Sequence, residues 1–113
     1  MIPPEELITR IQKYNPKTNA DLIRLAYAYG LRMHEGQARK SGEPYFTHPI
    51  EVAMILAEQR LDDATIVTAL LHDTIEDTRS TYDEVAGMFG ADIAKLVDGV
   101  TKLTNLQISK SET

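Results

Sequence analysis

Apolar residues along this chain recur at spacings of three and four, and no run alternates like a half-buried strand, so the pattern predicts an all-α fold. A first helix is expected after Pro3-Pro4, ending near Tyr14-Asn15 because Pro16 disfavours helical geometry in the residue before it. Asn19 caps a second helix, with Leu22, Leu25, Ala26 and Tyr29 on one face, fading near Gly36. From Gln37 to Thr47, glycine, proline and polar or basic residues crowd together, which reads as a loop. Pro49 suits the first turn of a third helix through about Gln59, with Val52, Ile55 and Leu56 inward. A fourth runs from about Asp62 to Thr74 and carries Ile66, Ala69 and Leu70. Thr81 and Glu84 have capping-box spacing for a fifth that stops at Gly90. Ile93, Leu96, Val97, Val100 and Leu103 line a sixth, followed by a polar tail from Gln107 to Thr113 without a cap or closing element. No repeat, low-complexity tract or linker divides the chain, so residues 1–113 read as one domain.

Composition narrows the functions open to such a bundle. With 42% hydrophobic and 26% charged residues, it is an ordinary soluble globule. A net charge of −5 argues against direct nucleic-acid binding through bulk electrostatics, which needs a cationic face to displace counterions. A phosphate-rich small molecule remains compatible, held by a few local cations and a bound metal. There is no cysteine, so any metal must use His, Asp or Glu, and the composition fits a reducing cytoplasm. The start lacks the basic and apolar stretches of a signal peptide, and no apolar run approaches the ~20 residues that span a bilayer, so no membrane role is expected.

The chemistry concentrates at Leu71-His72-Asp73-Thr74-Ile75-Glu76-Asp77, one imidazole and three carboxylates at the end of an apolar helix. Side-by-side carboxylates there stay ionised only if solvent or a cation compensates them. The bland alternative is a solvated acidic turn, but His72 directly follows Ala69-Leu70-Leu71 on a core-facing helix. Neighbouring helical residues point ~100° apart, so an ion touching both His72 and Asp73 lies between their directions and needs further ligands. His48, next to Pro49 at the end of the basic loop, is the obvious donor. Two histidines and a carboxylate suit a divalent ion of the Mn²⁺ or Fe²⁺ kind. Just upstream, Arg39 can stack on a base or fork onto phosphate, and Lys40 supplies a compact charge for phosphate. His34 reads as structural, hydrogen-bonded near the loop, and Tyr27 and Tyr29 as packing or surface residues.

The strings HEGQARKSGEPYFTHPIEVA, ALLHDTIEDT and DGVTKL, in this order and spacing, resemble the hydrolase domain of the RelA/SpoT stringent-response enzymes, within the HD superfamily. The resemblance covers about Tyr14 to Leu103. It implies an HD-type helical bundle binding one Mn²⁺ through His48, His72 and Asp73, plus an aspartate from a later helix. In the family that aspartate stands in a motif resembling Ala-Asp-Arg-Leu-His-Asn, and no such string occurs before Thr113. The expectation is therefore an incomplete domain, with its carboxy-terminal helices missing and weak or absent turnover in this chain. The sixth helix should then expose part of its Leu96, Val97, Val100 and Leu103 face. The opening through Lys13-Tyr14-Asn15-Pro16 resembles the long bifunctional enzymes, which implies that synthetase and regulatory domains follow in the parent.

By resemblance, the reaction removes the 3′-pyrophosphate of the guanine alarmones ppGpp and pppGpp, yielding GDP or GTP and pyrophosphate. Glu76 and Asp77, three to four residues beyond the ligand pair, are placed to orient the attacking water and move its proton. Arg39 would stack on guanine, while Lys40 and Ser41 hold the substrate. The competing enzyme reading is another HD phosphohydrolase acting on a dNTP or cyclic nucleotide. A reading of a different class is a non-catalytic module that binds guanine nucleotide or a partner protein.

Overall fold

A computed structural model of the chain describes the backbone of residues 1–112 and the side chains of residues 1–103. Local chemistry sets most helix starts. Pro4 opens α1 (Pro4–Gln12), where a missing N–H costs nothing, with Glu5 and Glu6 at the positive end of the helix dipole and Arg10 in the last turn. The Asn19 side chain accepts from the Leu22 N–H to start α2 (Ala20–Met33). Asp62 accepts from Thr65 to start α4 (Asp63–Leu71), and Thr81 accepts from Glu84 to start α6 (Tyr82–Phe89). Gly90, at φ 99°, takes the left-handed conformation that ends α6 and lets α7 (Ala91–Glu112) begin at once. Between them lie α3 (Thr47–Glu58) and a single turn, α5 (Thr74–Asp77). Among the described residues there is no strand, only an isolated bridge between Ala38 and Pro44.

The core forms around α4, whose Ile66, Val67, Leu70 and Leu71 are fully buried against α2, α3 and α7. Leu7, Ile8 and Ile11 of α1 close the α2 and α3 side. Each such side chain contributes about 1.5–3 kcal/mol relative to exposure. Polar ties fix the helix starts to one another. The Asp63 carboxylate accepts from the Asn19 N–H at 2.8 Å and from the Thr18 hydroxyl.

The all-α expectation and its six helices hold, with α5 interposed as an extra turn. Several boundaries and faces differ. The second helix ends at Met33, not near Gly36, and the fourth at Leu71, not Thr74. Ile55, expected inside, is 54% exposed, and Leu25 is also exposed. Both helices turn other faces to the core: Ile50, Ala53 and Ala57 on α3, and Ile23, Ala26, Tyr27 and Gly30 on α2. On α7, Val97 is buried while Leu96 and Leu103 are about half exposed, as anticipated for that face. The polar stretch 107–113 lies outside the residues whose side chains are described.

Candidate metal centre

The break between α4 and α5 creates the site. The His72 ring hydrogen-bonds through Nδ1 to the Ala69 carbonyl, and Thr74 Oγ1 donates to the Leu71 carbonyl at 2.8 Å. In an unbroken helix those carbonyls would accept from the N–H groups of Asp73 and Ile75. The helix stops at Leu71 with His72 as its C-cap, and Asp73 sits at φ −99° and ψ −3° before α5 begins. Two more hydroxyl rungs carry the chain onward: Thr78 Oγ1 donates to the Thr74 carbonyl at 2.7 Å, and Ser80 N–H donates to Thr78 Oγ1 at 3.0 Å.

This break brings the two neighbouring side chains together. Nε2 of His72 lies 3.0 Å from Oδ2 of Asp73. His48, in the first turn of α3, faces them across the antiparallel α3/α4 pair, its ring centroid 5.8 Å from that of His72. One ligand atom each from His48, His72 and Asp73 falls within 4.8 Å of the others, and among the described residues this is the set that could hold an ion. The donor chemistry fits a divalent metal. With Nδ1 donating to a carbonyl, the neutral form of His72 keeps its lone pair on Nε2, facing the cluster, as a metal-ligating histidine requires. A spacing of 3.0 Å between His72 and Asp73 also matches adjacent ligands at right angles around an ion at about 2.1 Å.

Without an ion, the pair is electrostatically coupled. Burial of His72 disfavours its charged form, but the Asp73 hydrogen bond, the Ala69 carbonyl and the charges of Asp73 and Asp77 outweigh burial and raise its pKa. Burial likewise works against the Asp73 carboxylate, yet hydrogen bonds from His72 and Tyr45 and the charges of His72 and His48 hold its pKa below the ordinary value. Tyr45 donates to Asp73 Oδ2 at 2.6 Å. Burial first, then that bond and the charges of Asp73 and Asp77, push its phenol well above the usual range, so it remains a donor.

The other residues singled out in the sequence take distinct places. Glu76 and Asp77 lie exposed on α5, one turn beyond Asp73, with no hydrogen bond or ion pair to either carboxylate among the described residues. Arg39 is engaged with Glu51 of α3, 3.2 Å away, and with Glu43 at 3.9 Å. Lys40 and Ser41 stand exposed at the tip of a tight turn, closed by Arg39 N–H to the Glu43 carbonyl at 2.8 Å and Gly42 N–H to the Arg39 carbonyl at 2.9 Å. His34 is buried and structural as expected: its Nδ1 meets Gln37 Oε1 at 2.8 Å. Tyr27 and Tyr29 are buried packing residues. Sequence reasoning missed Tyr45, Gln37 and Glu51. Tyr45, three residues before His48 and the one tyrosine in a polar loop, carried the available signal.

A helical bundle that sets a His-Asp step at a helix break, opposite a second histidine, defines a domain of the HD class. Residues 26–113 match the family described as HD domain, and the chain belongs to it. Within that class its relatives are RelA/SpoT proteins. It is 53% identical to the GTP pyrophosphokinase of Myxococcus xanthus over 96% of this chain. It is 50% identical to the bifunctional (p)ppGpp synthase/hydrolase SpoT of Escherichia coli K12 over 91% of this chain. The same identity and coverage hold for the guanosine-3′,5′-bis(diphosphate) 3′-pyrophosphohydrolase of Escherichia coli O157:H7. The chain spans only 14–15% of the length of these relatives. No helix among the described residues is long and apolar enough to cross a membrane.

Proposed function

We propose that this chain carries the metal centre of a (p)ppGpp hydrolase, which removes the 3′-pyrophosphate to leave GDP or GTP. The observation that carries the reading is the His72-Asp73 pair at 3.0 Å with His48 facing it, Nδ1 of His72 being committed to a main-chain carbonyl. His48, His72 and Asp73 would hold one Mn²⁺; a nitrogen-rich set of this kind suits Mn²⁺ better than Mg²⁺, which prefers all-oxygen shells. When bound, a divalent ion supplies an acidified water and screens the charge that repels a nucleophile from phosphate. Glu76 and Asp77, whose carboxylates are exposed on the following turn and have no hydrogen-bond or ion-pair partner among the described residues, would orient the water and accept its proton. Arg39, steadied by Glu51, offers its guanidinium face to the base, and Lys40 and Ser41 at the turn tip hold phosphate and ribose. The named relatives include both pyrophosphokinases and a pyrophosphohydrolase. We assign the hydrolase half to this region, and the synthetase and regulatory functions to other parts of the much longer parent. A guanine-nucleotide substrate and the lack of cysteine support a cytoplasmic setting.

The test is pyrophosphate release from ppGpp, with Mn²⁺ titration in parallel. His72→Ala and Asp73→Ala should abolish both while the protein stays helical, since each removes a ligand without opening a large core cavity. Full activity of metal-saturated His72→Ala would overturn the ligand assignment. Release of triphosphate from dNTPs, with none of pyrophosphate from ppGpp, would move the site to a different nucleotide.

A further inference from the structure

Asp73 supplies the carboxylate among the three converging side chains. It has two rotatable side-chain bonds, makes no capping bond to α5, and stands where the backbone leaves one helix for another. Left alone it would swing between His72 and solvent. One side chain holds it from outside the cluster: the Tyr45 hydroxyl, at 2.6 Å from Oδ2. Tyr45 itself comes from the loop, yet it is pinned from several sides. Its N–H donates to the Gln37 carbonyl at 2.9 Å, and its ring packs on the buried His34 ring at 4.8 Å and 40°. It also lies 6.1 Å from the His48 ring.

The support beneath Tyr45 is equally specific. Gln37 Nε2 donates to the Asp77 carbonyl at 2.9 Å, which turns its Oε1 toward His34 and places the proton on His34 Nδ1. His34 Nε2 is buried in the core without a hydrogen-bond partner among the described residues. The imidazole packs at a 40° tilt against the Tyr45 ring and more nearly parallel to the Phe46 ring, 6.2 Å away. A continuous path of rigid contacts runs from the core through His34 to Tyr45 and on to the Asp73 carboxylate.

We propose that Tyr45 is the positioning residue of the metal centre, holding Asp73 in the orientation that admits an ion. This rests on the metal-site reading above. A phenol donating to Oδ2 occupies one lone pair and leaves Oδ1 and the remaining Oδ2 lone pair for a cation. Removing such an outer partner typically weakens metal binding by about 10- to 100-fold.

Mn²⁺ titration calorimetry and Co²⁺ visible spectra on the wild-type protein, Tyr45→Phe, Asp73→Ala and Tyr27→Phe test it. Tyr27→Phe removes a comparable buried tyrosine hydrogen bond, to the Ile2 carbonyl, away from the cluster. The expected result is Mn²⁺ affinity reduced by about 10-fold or more in Tyr45→Phe, with altered Co²⁺ bands, unchanged helix content, and wild-type binding in Tyr27→Phe. Unchanged affinity and spectrum in Tyr45→Phe overturns the positioning role, as does equal weakening in Tyr27→Phe, which would mark a general loss of stability. Wild-type protein that binds no Mn²⁺, or Asp73→Ala that binds as well as wild type, removes the metal site and this proposal with it.

Discussion

The Phe46 ring fills the space that a β-carbon on Gly30 would need: such an atom would lie 2.3 Å from Cε1 and 2.8 Å from Cζ of the ring. Gly30 stands inside α2, in its last turn, where glycine ordinarily weakens a helix, so its presence here reflects close packing. Gly30→Ala should therefore destabilise the protein by about 1–3 kcal/mol through overpacking, despite a helix-propensity gain of about 1 kcal/mol. Because Phe46 caps the helix that carries His48, the displaced ring should also weaken Mn²⁺ binding. Urea unfolding and metal titration of the variant check both parts; a more stable Gly30→Ala would show that the ring moves aside freely.

The His72-Asp73 pair gives metal-free stability a definite pH dependence. His72 is raised in the folded state, so its contribution is fully present below the unfolded value of about 6.5 and is lost as pH rises through the folded value. Asp73 is lowered, so its contribution is present above an unfolded value of about 3.9 and is lost as pH falls through the folded value. In chelator, the stability difference between wild type and Asp73→Asn should peak between about pH 4 and 6.5. Thermal melts across pH measure it, and a difference that grows above neutrality would contradict the coupling.

An Mn²⁺ held as proposed would compete with the proton on His72, so the pH dependence of metal affinity should run the other way. Affinity should rise with pH through the raised His72 value and flatten above it. Bound metal at 100 times its dissociation constant should add about 2.7 kcal/mol of stability, read as a shift in melting temperature that EDTA reverses.

Glu76→Gln should differ in kind from the ligand variants. Its carboxylate is exposed and without a hydrogen-bond or ion-pair partner among the described residues, so the change leaves His48, His72 and Asp73 in place. Mn²⁺ affinity should persist while ppGpp turnover falls by about 10²- to 10⁴-fold, the usual range for a lost general acid or base. A variant that loses metal as well would place Glu76 among the ligands.

Tyr29 ties α2 to the chain beyond the acidic turn. Its hydroxyl meets Ser80 Oγ at 2.5 Å and Glu84 Oε1 at 2.7 Å, with Ser80 buried. Tyr29→Phe leaves the serine hydroxyl without that partner and should cost about 1–3 kcal/mol. Metal affinity should be unchanged, since the ring keeps its edge contact with Phe89 and the cluster is untouched.

Much of this architecture is legible in the chain because local signals act within one turn. Asn19 and Thr81 announce their helices by side-chain bonds three residues ahead, and those bonds form. Rotation about a helix axis is harder to read. α3 is apolar on several sides, and its buried positions include the small Ala53 and Ala57, while the larger Ile55 stays outside. The break at His72 was equally hidden, since no glycine or proline stands between Asp62 and Thr78 to mark a helix end. His48, His72 and Asp73 were recognisable by residue type and surroundings. Tyr45 and Gln37 were not, because their partners lie 28 and 40 residues away.

The hydroxyl rungs at Thr74, Thr78 and Ser80 are neutral, and none titrates in the range where the carboxylates do. The turn that presents Glu76 and Asp77 is thus shaped by bonds indifferent to the charge it carries. A change of charge at that turn, by a proton or by a bound ion, therefore asks little reorientation of the dipoles that shape it, because their arrangement is already set during folding.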